Sequence, residues 1–488
     1  VRRTLQERFS HESFRPGQEE VVRAVLAGRD ALVVQPTGAG KSLMYQLPAV
    51  LLDGITVVVS PLIALMKDQT DKMDAAGVDA LTINSGMRDS ERRAAEDAVA
   101  GGDGEILYVT PERFRNREFF DAILEREVAL FVVDEAHCIS EWGHDFRPDY
   151  MMLGSIAERL GRPPILALTA TATPAVQDDI VTQLRMRDPF RLTADLIRPN
   201  LHLELERTVN EAQKLESLVR VLEETDGTGI VYFATVSSAE RLHKELEERF
   251  DLALYHGQRT AKQRREAQDA FMAGDVKAVL ATNAFGLGID KEDIRFVIHY
   301  HLPGSLEAYY QEVGRSGRDG GPARCVMLYR EEDRRIQSYF LGGRYPSLED
   351  AAAVARIMNG LRPGQAWSLE EIAETAEVPV RKTRIVLTLL KREDAVREYR
   401  GGGWERLAED VAQTDLEADL LDYEARREAD REKLSSMVGY CRNARCRTAY
   451  IMEYFGEDPG RDYRCGHCDA CDVIGTPSRR NLGPLEER

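Results

Sequence analysis

The chain lacks features that would each indicate a different class of protein. Its 488 residues contain no uninterrupted apolar run near the roughly 18 residues that a membrane-spanning helix needs, and its first residues show no apolar core before a cleavage site. Positive charge is also scarce, with 65 lysines and arginines against 83 aspartates and glutamates and a net charge of −18. We therefore expect a cytoplasmic protein without the overall basic surface that usually binds nucleic acid.

Cysteine is scarce in the first 440 residues, where only Cys138 and Cys325 occur. The other five cysteines fall in the short stretch 441–471. Clustered thiols in a protein that we expect in a reducing compartment indicate metal binding rather than disulfide bonds. A redox role for the cluster is the weaker alternative.

The spacing of four of these cysteines predicts a zinc site. Three recur at every third position, and the fourth lies 19 residues upstream, across a helical pattern. The four predicted ligands are Cys446, Cys465, Cys468 and Cys471. Four thiolates suit a closed, tetrahedral structural Zn²⁺ site, and Cys441 and His467 remain spare candidates. Because so small a segment has little core of its own, metal binding should drive its folding.

A phosphate-binding loop is indicated near the start of the chain. The apolar run 31–34 reads as a buried strand, residues 35–42 (QPTGAGKS) follow it, and a helical pattern begins next. Backbone N–H groups of such a loop cradle phosphates at a helix N-terminus, with Lys41 on the β- and γ-phosphates and Ser42 on Mg²⁺. The loop residues predicted to contact the nucleotide are Thr37, Gly38, Gly40, Lys41 and Ser42.

Two adjacent carboxylates, Asp134 and Glu135, complete the predicted hydrolytic motif. They follow the apolar run 130–133, so they emerge at the carboxyl end of a buried strand, where open α/β sheets place ligands. Asp134 can join the Mg²⁺ shell, and Glu135 can polarise a water molecule. The segment 140–150 continues from this motif and contains aromatic side chains, which either pack beneath the sheet or stack on bases of nucleic acid.

Short β-rich runs alternate with amphipathic stretches through two successive regions, which predicts two parallel-sheet α/β domains. The first spans residues 1–195 and contains the phosphate-binding loop. The second spans residues 196–344, where Arg315 and Arg318 lie in a glycine-rich run. Two arginines so placed suit bidentate contact with a γ-phosphate across a domain cleft, as an arginine finger does.

Residues 345–410 predict a winged-helix-like module. A helix with Ser368 as its N-cap and Glu371 in a capping box is followed by a basic helix and a glycine-tipped hairpin. Basic residues of the second helix that should contact DNA phosphates are Arg381, Lys382 and Arg384. Winged helices also serve protein contacts, which is the alternative. Residues 411–475 are assigned to a helical zinc-binding module, and residues 476–488 to a tail.

Together these segments resemble the RecQ family of DEAH-box helicases in superfamily 2. The resemblance covers about the first 330 residues and resumes at the cysteine cluster. The segments that carry it are residues 14–18 (FRPGQ), 35–42, 60–69 (SPLIALMKDQ), 110–113 (TPER), 134–150, 168–172 (LTATA), 282–291 and 310–320. The resemblance implies an α/β protein with two RecA-like domains, followed by the winged-helix-like module and the helical zinc-binding module.

The resemblance also implies roles for individual residues. Arg15 and Gln18 would hold the adenine base, and His11 stands where the family has an aromatic residue that stacks on it. Asp290 and Arg318 would complete the nucleotide site from the second domain, with Arg315 beside them. The residues that would sense single-stranded DNA are Trp142, Phe146 and Arg147. The family's cysteine pattern matches Cys446 rather than Cys441.

The implied function is an ATP-dependent 3′ to 5′ DNA helicase for repair or recombination, with ATP, Mg²⁺ and Zn²⁺ as cofactors and single-stranded or tailed duplex DNA as partner. An ATP-gated DNA-binding or strand-annealing module without productive unwinding and an RNA helicase remain alternatives. In typical relatives the winged helix follows the zinc module, whereas here it precedes it, so a strand-separating hairpin is only a hypothesis. The acidic surface either avoids DNA or recruits a basic or single-strand-binding protein, and in a bacterium the protein would associate with the nucleoid.

Overall fold

The computed structural model describes residues 1–474 except 37, 62, 85, 141–146, 195, 287, 288, 290, 363, 400, 401 and 412–415. Two compact units divide the chain: Val1–Tyr329 together with Tyr440–Arg488, and Arg330–Gly439. Among the described residues, no helix combines the length and the apolar composition that crossing a membrane requires.

A seven-stranded parallel sheet with its helices forms the first α/β domain. Its strands are β1 (Ala31–Val34), β2 (Ile55–Val59), β3 (Ala80–Ile83), β4 (Ile106–Val109), β5 (Val128–Val133), β6 (Ile165–Thr169) and β7 (Phe190–Thr193). They lie in the order β3-β4-β2-β5-β6-β1-β7. The accompanying helices are α1 (Arg2–Phe9), α2 (Gln18–Leu26), α3 (Leu43–Leu51), α4 (Ile63–Ala75), α5 (Asp89–Gly101), α6 (Arg117–Leu124), α7 (Leu153–Arg159) and α8 (Pro174–Gln183).

The central strands are apolar on both faces because helices cover both sides of the sheet. In β5, Phe131 and Val133 pack into one core cluster, whereas Leu130 and Val132 pack into the cluster on the other face. Parallel strands end at the same edge of a sheet. The residues that follow β1, β2 and β5 therefore come together at one edge, which is where the predicted hydrolytic motifs lie.

A six-stranded parallel sheet forms the second α/β domain. Its strands are β8 (Leu201–Arg207), β9 (Thr228–Tyr232), β10 (Leu252–Tyr255), β11 (Ala278–Ala281), β12 (Ile294–His299) and β13 (Ala323–Tyr329). They lie in the order β10-β11-β9-β12-β13-β8. Its helices are α9 (Glu211–Glu224), α10 (Val236–Leu246), α11 (Ala261–Ala273) and α12 (Leu306–Val313). The predicted fold class, with two parallel-sheet domains, is confirmed.

The smaller unit contains a winged-helix arrangement. Its helices and strands are α13 (Asp333–Gly342), α14 (Leu348–Gly360), β14 (Ala366–Ser368), α15 (Leu369–Ala376), α16 (Val380–Arg392), β15 (Val396–Glu398) and β16 (Gly403–Arg406), and α17 (Glu417–Arg442) begins there. The strands pair antiparallel in the order β14-β16-β15. The predicted capping box is confirmed, because Ser368 Oγ accepts from the Glu371 N–H at 3.2 Å and the Glu371 carboxylate accepts from the Ser368 N–H at 2.8 Å.

The cysteine-rich segment packs against the second α/β domain within the larger unit. It contains α18 (Arg447–Tyr454) and α19 (Asp469–Ile474). A parallel bridge joins Leu203 of β8 to Cys468, and the Leu205 N–H donates to Asp469 Oδ2 at 3.2 Å. This contact covers the edge strand β8, whose outer backbone groups would otherwise lack partners. The segment boundaries at residues 195, 344, 410 and 475 stay predictions.

Candidate functional site

The loop 35–42 leaves the end of β1 and leads into α3. Lys41 Nζ donates to the carbonyl oxygens of Gln35 at 2.9 Å and Pro36 at 3.3 Å. Burial lowers the pKa of Lys41, and the nearby carboxylates of Glu135 and Asp134 oppose that fall. The ammonium group therefore lies inside the loop and within reach of the charges that follow β5.

Arg15 and Gln18 contact the backbone of this loop. Arg15 Nη1 donates to the Gly38 carbonyl at 2.6 Å, and Gln18 Nε2 donates to the Gly40 carbonyl at 2.9 Å. Gln18 Oε1 accepts from the Arg15 N–H at 2.8 Å. Gly40 has a φ of +83°, and a Cβ there would lie 2.7 Å from Gln18 Nε2, so the approach requires glycine. Gln18 Oε1 can accept one more hydrogen bond and Nε2 can donate one more, so the side chain can still make the predicted contact with adenine.

The carboxylates of Asp134 and Glu135 lie at the end of β5, as predicted. Ser60, which follows β2, donates from Oγ to Asp134 Oδ2 at 3.4 Å. Burial and the adjacent Glu135 raise the pKa of Asp134 to about 7. Glu135 has a φ of 48°, in the left-handed region, which is unusual for a residue other than glycine and is a form of strain typical of functional sites. A divalent cation at Asp134 would relieve the cost of burying its charge.

A buried histidine connects this motif to the next strand of the sheet. His137 Nδ1 lies 2.9 Å from Thr169 Oγ1 at the end of β6 and 3.3 Å from the Glu135 carboxylate. The sequence does not predict these contacts of His137, nor the hydrogen bond between Ser60 and Asp134. Polar residues at the carboxyl ends of buried strands are a signal that could have identified Ser60 and Thr169, because neighbouring parallel strands end side by side.

The two predicted arginines occupy different positions. Side-chain carbons of Arg318 lie against the phosphate-binding loop, since a Cβ on Gly38 would come within 3.1 Å of Arg318 Cγ. Arg315 is 6% exposed, and its guanidinium donates to the Gly286 carbonyl within its own domain. Arg318 is therefore the arginine next to the phosphate-binding loop. Arg315 instead makes a hydrogen bond within the second domain.

One cavity joins these groups. Its volume is about 630 Å³, within the range of small-molecule sites. Both α/β domains line it. Lining residues from the first domain include His11, Arg15, Gln18, Gly38, Gly40, Lys41, Ser42, Asp134 and Glu135. Those from the second include Ile289, Glu292, Gln311, Arg315 and Arg318. Thr37 and Asp290, which were also predicted here, lie outside the described residues.

The donor set of the cavity fits ATP with Mg²⁺. Lys41 and the loop N–H groups suit the phosphates, and Ser42 and Asp134 supply the oxygen ligands that Mg²⁺ prefers. When bound, Mg²⁺ would neutralise phosphate charge. Glu135, next to the metal ligand, is placed to orient a water molecule.

The four predicted zinc ligands come together. Sulfur atoms of Cys446, Cys465, Cys468 and Cys471 lie within 4.8 Å of one another. Such a compact set of four thiolates fits tetrahedral Zn²⁺. Neither spare candidate joins this group. Cys441 is buried outside it, and His467 Nδ1 lies 2.9 Å from the Leu201 carbonyl.

Only some of the residues predicted to contact nucleic acid are among the residues that the structure describes. Trp142 and Phe146 lie outside the described residues, and Arg147 is half-buried. In the smaller unit, Arg381 and Arg384 are exposed on α16. Lys382 differs from them, since its Nζ donates to Asp350 Oδ2 at 2.9 Å and its side chain is only 14% exposed.

Comparisons with known proteins agree with this site. Family models match residues 15–180 (DEAD/DEAH box helicase), 213–320 (helicase conserved C-terminal domain) and 408–472 (RecQ zinc-binding). The chain is 33% identical over 495 residues to the probable ATP-dependent DNA helicase RecS of Bacillus subtilis, covering 100% of this chain and 96% of that protein. It is 43% identical to the ATP-dependent DNA helicase RecQ of Pasteurella multocida, over 67% of this chain and 51% of that protein. The chain belongs to the RecQ family.

As a RecQ-family helicase, the protein is an ATPase, and its cofactors are ATP, Mg²⁺ and Zn²⁺. It spans nearly all of the RecS relative but about half the length of the Pasteurella RecQ. Solved structures show the same fold at low identity. The DNA-bound helicase MrfA is 17% identical with a TM-score of 0.57, over 86% of this chain and 64% of that one. The helicase Lhr of Mycobacterium smegmatis, bound to single-stranded DNA and AMP-PNP, is 20% identical with a TM-score of 0.56. The match covers 89% of this chain and 61% of that one.

Proposed function

We propose that this RecQ-family protein is a DNA helicase that moves 3′ to 5′ on a single strand, opens tailed duplexes and acts in DNA repair or recombination. The observation that carries the proposal is the single cavity in which Lys41 and Glu135 of the first α/β domain face Arg318 of the second. The relatives that are named DNA helicases support DNA as the substrate, and they do not favour the alternative without unwinding.

Hydrolysis at this cavity requires residues from both domains. Lys41 would hold the phosphates, Ser42 and Asp134 would hold Mg²⁺, and Glu135 would orient the attacking water. Arg318 would stabilise the negative charge that develops as the γ-phosphoryl group passes from ADP to water, and Arg15 and Gln18 hold the loop. Because the two domains share one nucleotide, its hydrolysis changes their spacing, which is the step that moves the protein along a strand.

The segment 141–146 is the proposed link between DNA and hydrolysis. On its C-terminal side, the Arg147 N–H donates to the Cys138 carbonyl at 2.9 Å, and Tyr150 Oη donates to the Asp134 carbonyl at 3.1 Å. The C-terminal flank of the segment is thus attached to the backbone of the carboxylate motif. Bases stacked on Trp142 and Phe146, with Arg147 at the backbone, would change the position of Glu135.

Stimulation of ATP hydrolysis tests the choice of nucleic acid and the direction. We expect single-stranded DNA to raise kcat at least about tenfold, and RNA of the same sequence to raise it far less. Movement 3′ to 5′ should displace streptavidin from a 5′-biotinylated strand and not from a 3′-biotinylated one. Equal stimulation by RNA would favour an RNA helicase, and displacement from the 3′ end alone would reverse the polarity.

The winged-helix arrangement should add an electrostatic contact with DNA through Arg381 and Arg384. Replacing both with alanine should weaken duplex binding and reduce the slope of log affinity against log salt by about 1 for each arginine removed. Lys382→Met is the matched control. Since Lys382 pairs with Asp350, this variant should lower the melting temperature and leave the salt slope unchanged. An unchanged slope in the double variant would favour a protein contact for this helix.

The acidic composition of the chain bears on which partners it recruits. A net charge of −18 on a DNA-binding chain favours recruitment of a basic partner, and a single-strand-binding protein is a second proposed partner. We expect a cytoplasmic location, with nucleoid association in a bacterium. Co-purification with and without nuclease treatment would separate protein partners from partners bridged by DNA.

A further inference from the structure

The loop that carries the two arginines is held by two side chains from the chain segment that joins the α/β domains. Arg198 Nη2 donates to the carbonyls of Ser316 at 3.1 Å and Gly317 at 2.7 Å, and its Nη1 lies 3.4 Å from the Gly314 carbonyl. These carbonyls follow the C-terminus of α12. A cation there is favourable, because helix C-termini carry partial negative charge and unpaired carbonyl groups.

Asn200 holds the other side of the same loop. Its Nδ2 donates to the carbonyls of Gly317 and Gly321, each at 2.8 Å. Gly317 has a φ of +56°, and a Cβ there would lie 2.5 Å from Asn200 Nδ2. The loop therefore requires glycine at the point where the asparagine approaches it. The Asn200 carbonyl accepts from the Ala323 N–H at 3.0 Å, which fixes Asn200 to the start of β13.

The zinc-binding segment attaches to the residue that follows Asn200. His467 lies between two of the predicted zinc ligands, and its Nδ1 is 2.9 Å from the carbonyl oxygen of Leu201. A carbonyl only accepts hydrogen bonds, so Nδ1 carries the proton and donates. The bridge between Leu203 and Cys468 continues this attachment along β8.

These contacts form one continuous set from the cysteine cluster to the nucleotide cavity. We propose that His467, Asn200 and Arg198 act as positioning residues through which the zinc-binding segment fixes the Arg315–Arg318 loop at the phosphate-binding loop. We call these three residues the loop clamp. The inference rests on the proposed role of Arg318, and it adds a catalytic consequence to zinc binding beyond stability. An arginine that acts on a transition state loses effect when it is displaced by about 1 Å, which can cost about a hundredfold in rate.

The loop clamp predicts a change in kcat rather than in ATP binding. We expect Arg198→Met to lower kcat of ATP hydrolysis about 10- to 100-fold, and His467→Leu to lower it about 3- to 10-fold, with KM for ATP within about twofold. Affinity for ADP with aluminium fluoride, which imitates the transferring phosphoryl group, should fall in parallel with kcat. Affinity for ADP alone should not change, and His467→Leu should keep one zinc per chain. His467→Gln, whose amide can still donate to Leu201, should recover most of the rate.

Arg207→Met is the matched control. Arg207 lies on β8, the strand that begins at Leu201. It donates to the backbone carbonyls of Cys441 at 3.2 Å and Arg442 at 3.0 Å, and so contacts the cysteine-rich segment rather than the loop that carries Arg315 and Arg318. We expect this variant to keep kcat and the affinity for ADP with aluminium fluoride within about twofold. Equal losses of kcat in Arg207→Met and in the clamp variants would overturn the inference. The loss would then come only from weaker attachment of the cysteine-rich segment to β8.

Arg318→Ala separates failure of the loop clamp from failure of the proposed function. If Arg318→Ala abolishes turnover and the clamp variants keep kcat, the clamp alone is wrong. If Arg318→Ala keeps kcat, the proposed site is wrong and the clamp has no catalytic consequence, so both ideas are overturned. Loss of zinc in His467→Leu would also contradict the clamp, because His467 would then hold the metal site rather than the loop.

Discussion

Replacing Arg318 with alanine should lower kcat of ATP hydrolysis about a thousandfold or more, with ADP affinity within about threefold. The physical reason is that an arginine finger acts mainly on the charge that develops during phosphoryl transfer and hardly on the bound ground state. Arg318 lies against Gly38 of the phosphate-binding loop, from the opposite domain. Single-turnover hydrolysis and equilibrium binding of a fluorescent ADP analogue measure the two effects separately.

Arg315→Ala provides the comparison, because Arg315 lies beside Arg318 in the same glycine-rich run. Its guanidinium donates to the Gly286 carbonyl, and truncation would leave that buried group without this partner. We therefore expect a loss of about 1–3 kcal/mol in the free energy of unfolding, which Arg318→Ala should not show. If Arg315→Ala proved as stable as the wild-type protein and as inactive as Arg318→Ala, Arg315 would be a second arginine finger rather than a structural contact.

Removing one zinc ligand should unfold the cysteine-rich segment. In small zinc modules the metal contributes on the order of 10 kcal/mol to folding, and the four thiolates here are the group that can bind it. Cys468→Ser should lose zinc and expose β8, because Cys468 also pairs with Leu203. Metal analysis of the purified variant and limited proteolysis of residues 440–474 measure both effects.

Cys441→Ala is the control for this experiment. Cys441 lies close in sequence and is buried, but it is not among the four clustered thiols. We expect it to retain one zinc per chain and to resist protease as wild type does. A Cys441 variant without zinc, or a Cys468 variant that keeps a full equivalent, would show that the ligand set is different.

Much of the fold could be predicted from short apolar runs. Strand β1 has the bounds of the apolar run 31–34, because strands buried on both faces are almost wholly apolar. Strand β8 could not be found in this way. Its sequence LHLELER exposes part of one side and carries charges that pair with other segments, such as Glu204 with Arg324 at 2.9 Å. Its partners come from distant parts of the chain, which local pattern does not show.

The candidate site could be predicted as a set of residues but not as a set of contacts. Motif spacing predicts that Lys41, Asp134 and Glu135 lie at one sheet edge, and the cysteine spacing predicts the four thiols that cluster. Sequence does not predict the contact of Arg315 with Gly286 or the pairing of Lys382 with Asp350, since each partner lies far from it in the chain. Sequence gives no signal for Arg198 and Asn200 for the same reason, because the loop that they contact lies more than 100 residues further along the chain.

The most direct test of the whole account is separation of a DNA duplex that carries a 3′ single-stranded tail. Wild-type protein with ATP and Mg²⁺ should separate this duplex, and should not separate a 5′-tailed duplex or the RNA counterpart. Lys41→Ala should bind the same DNA and separate none of it, because Lys41 is the residue proposed to hold the phosphates. DNA-stimulated ATP hydrolysis without separation of any duplex would contradict the helicase account and favour an ATP-gated DNA-binding protein.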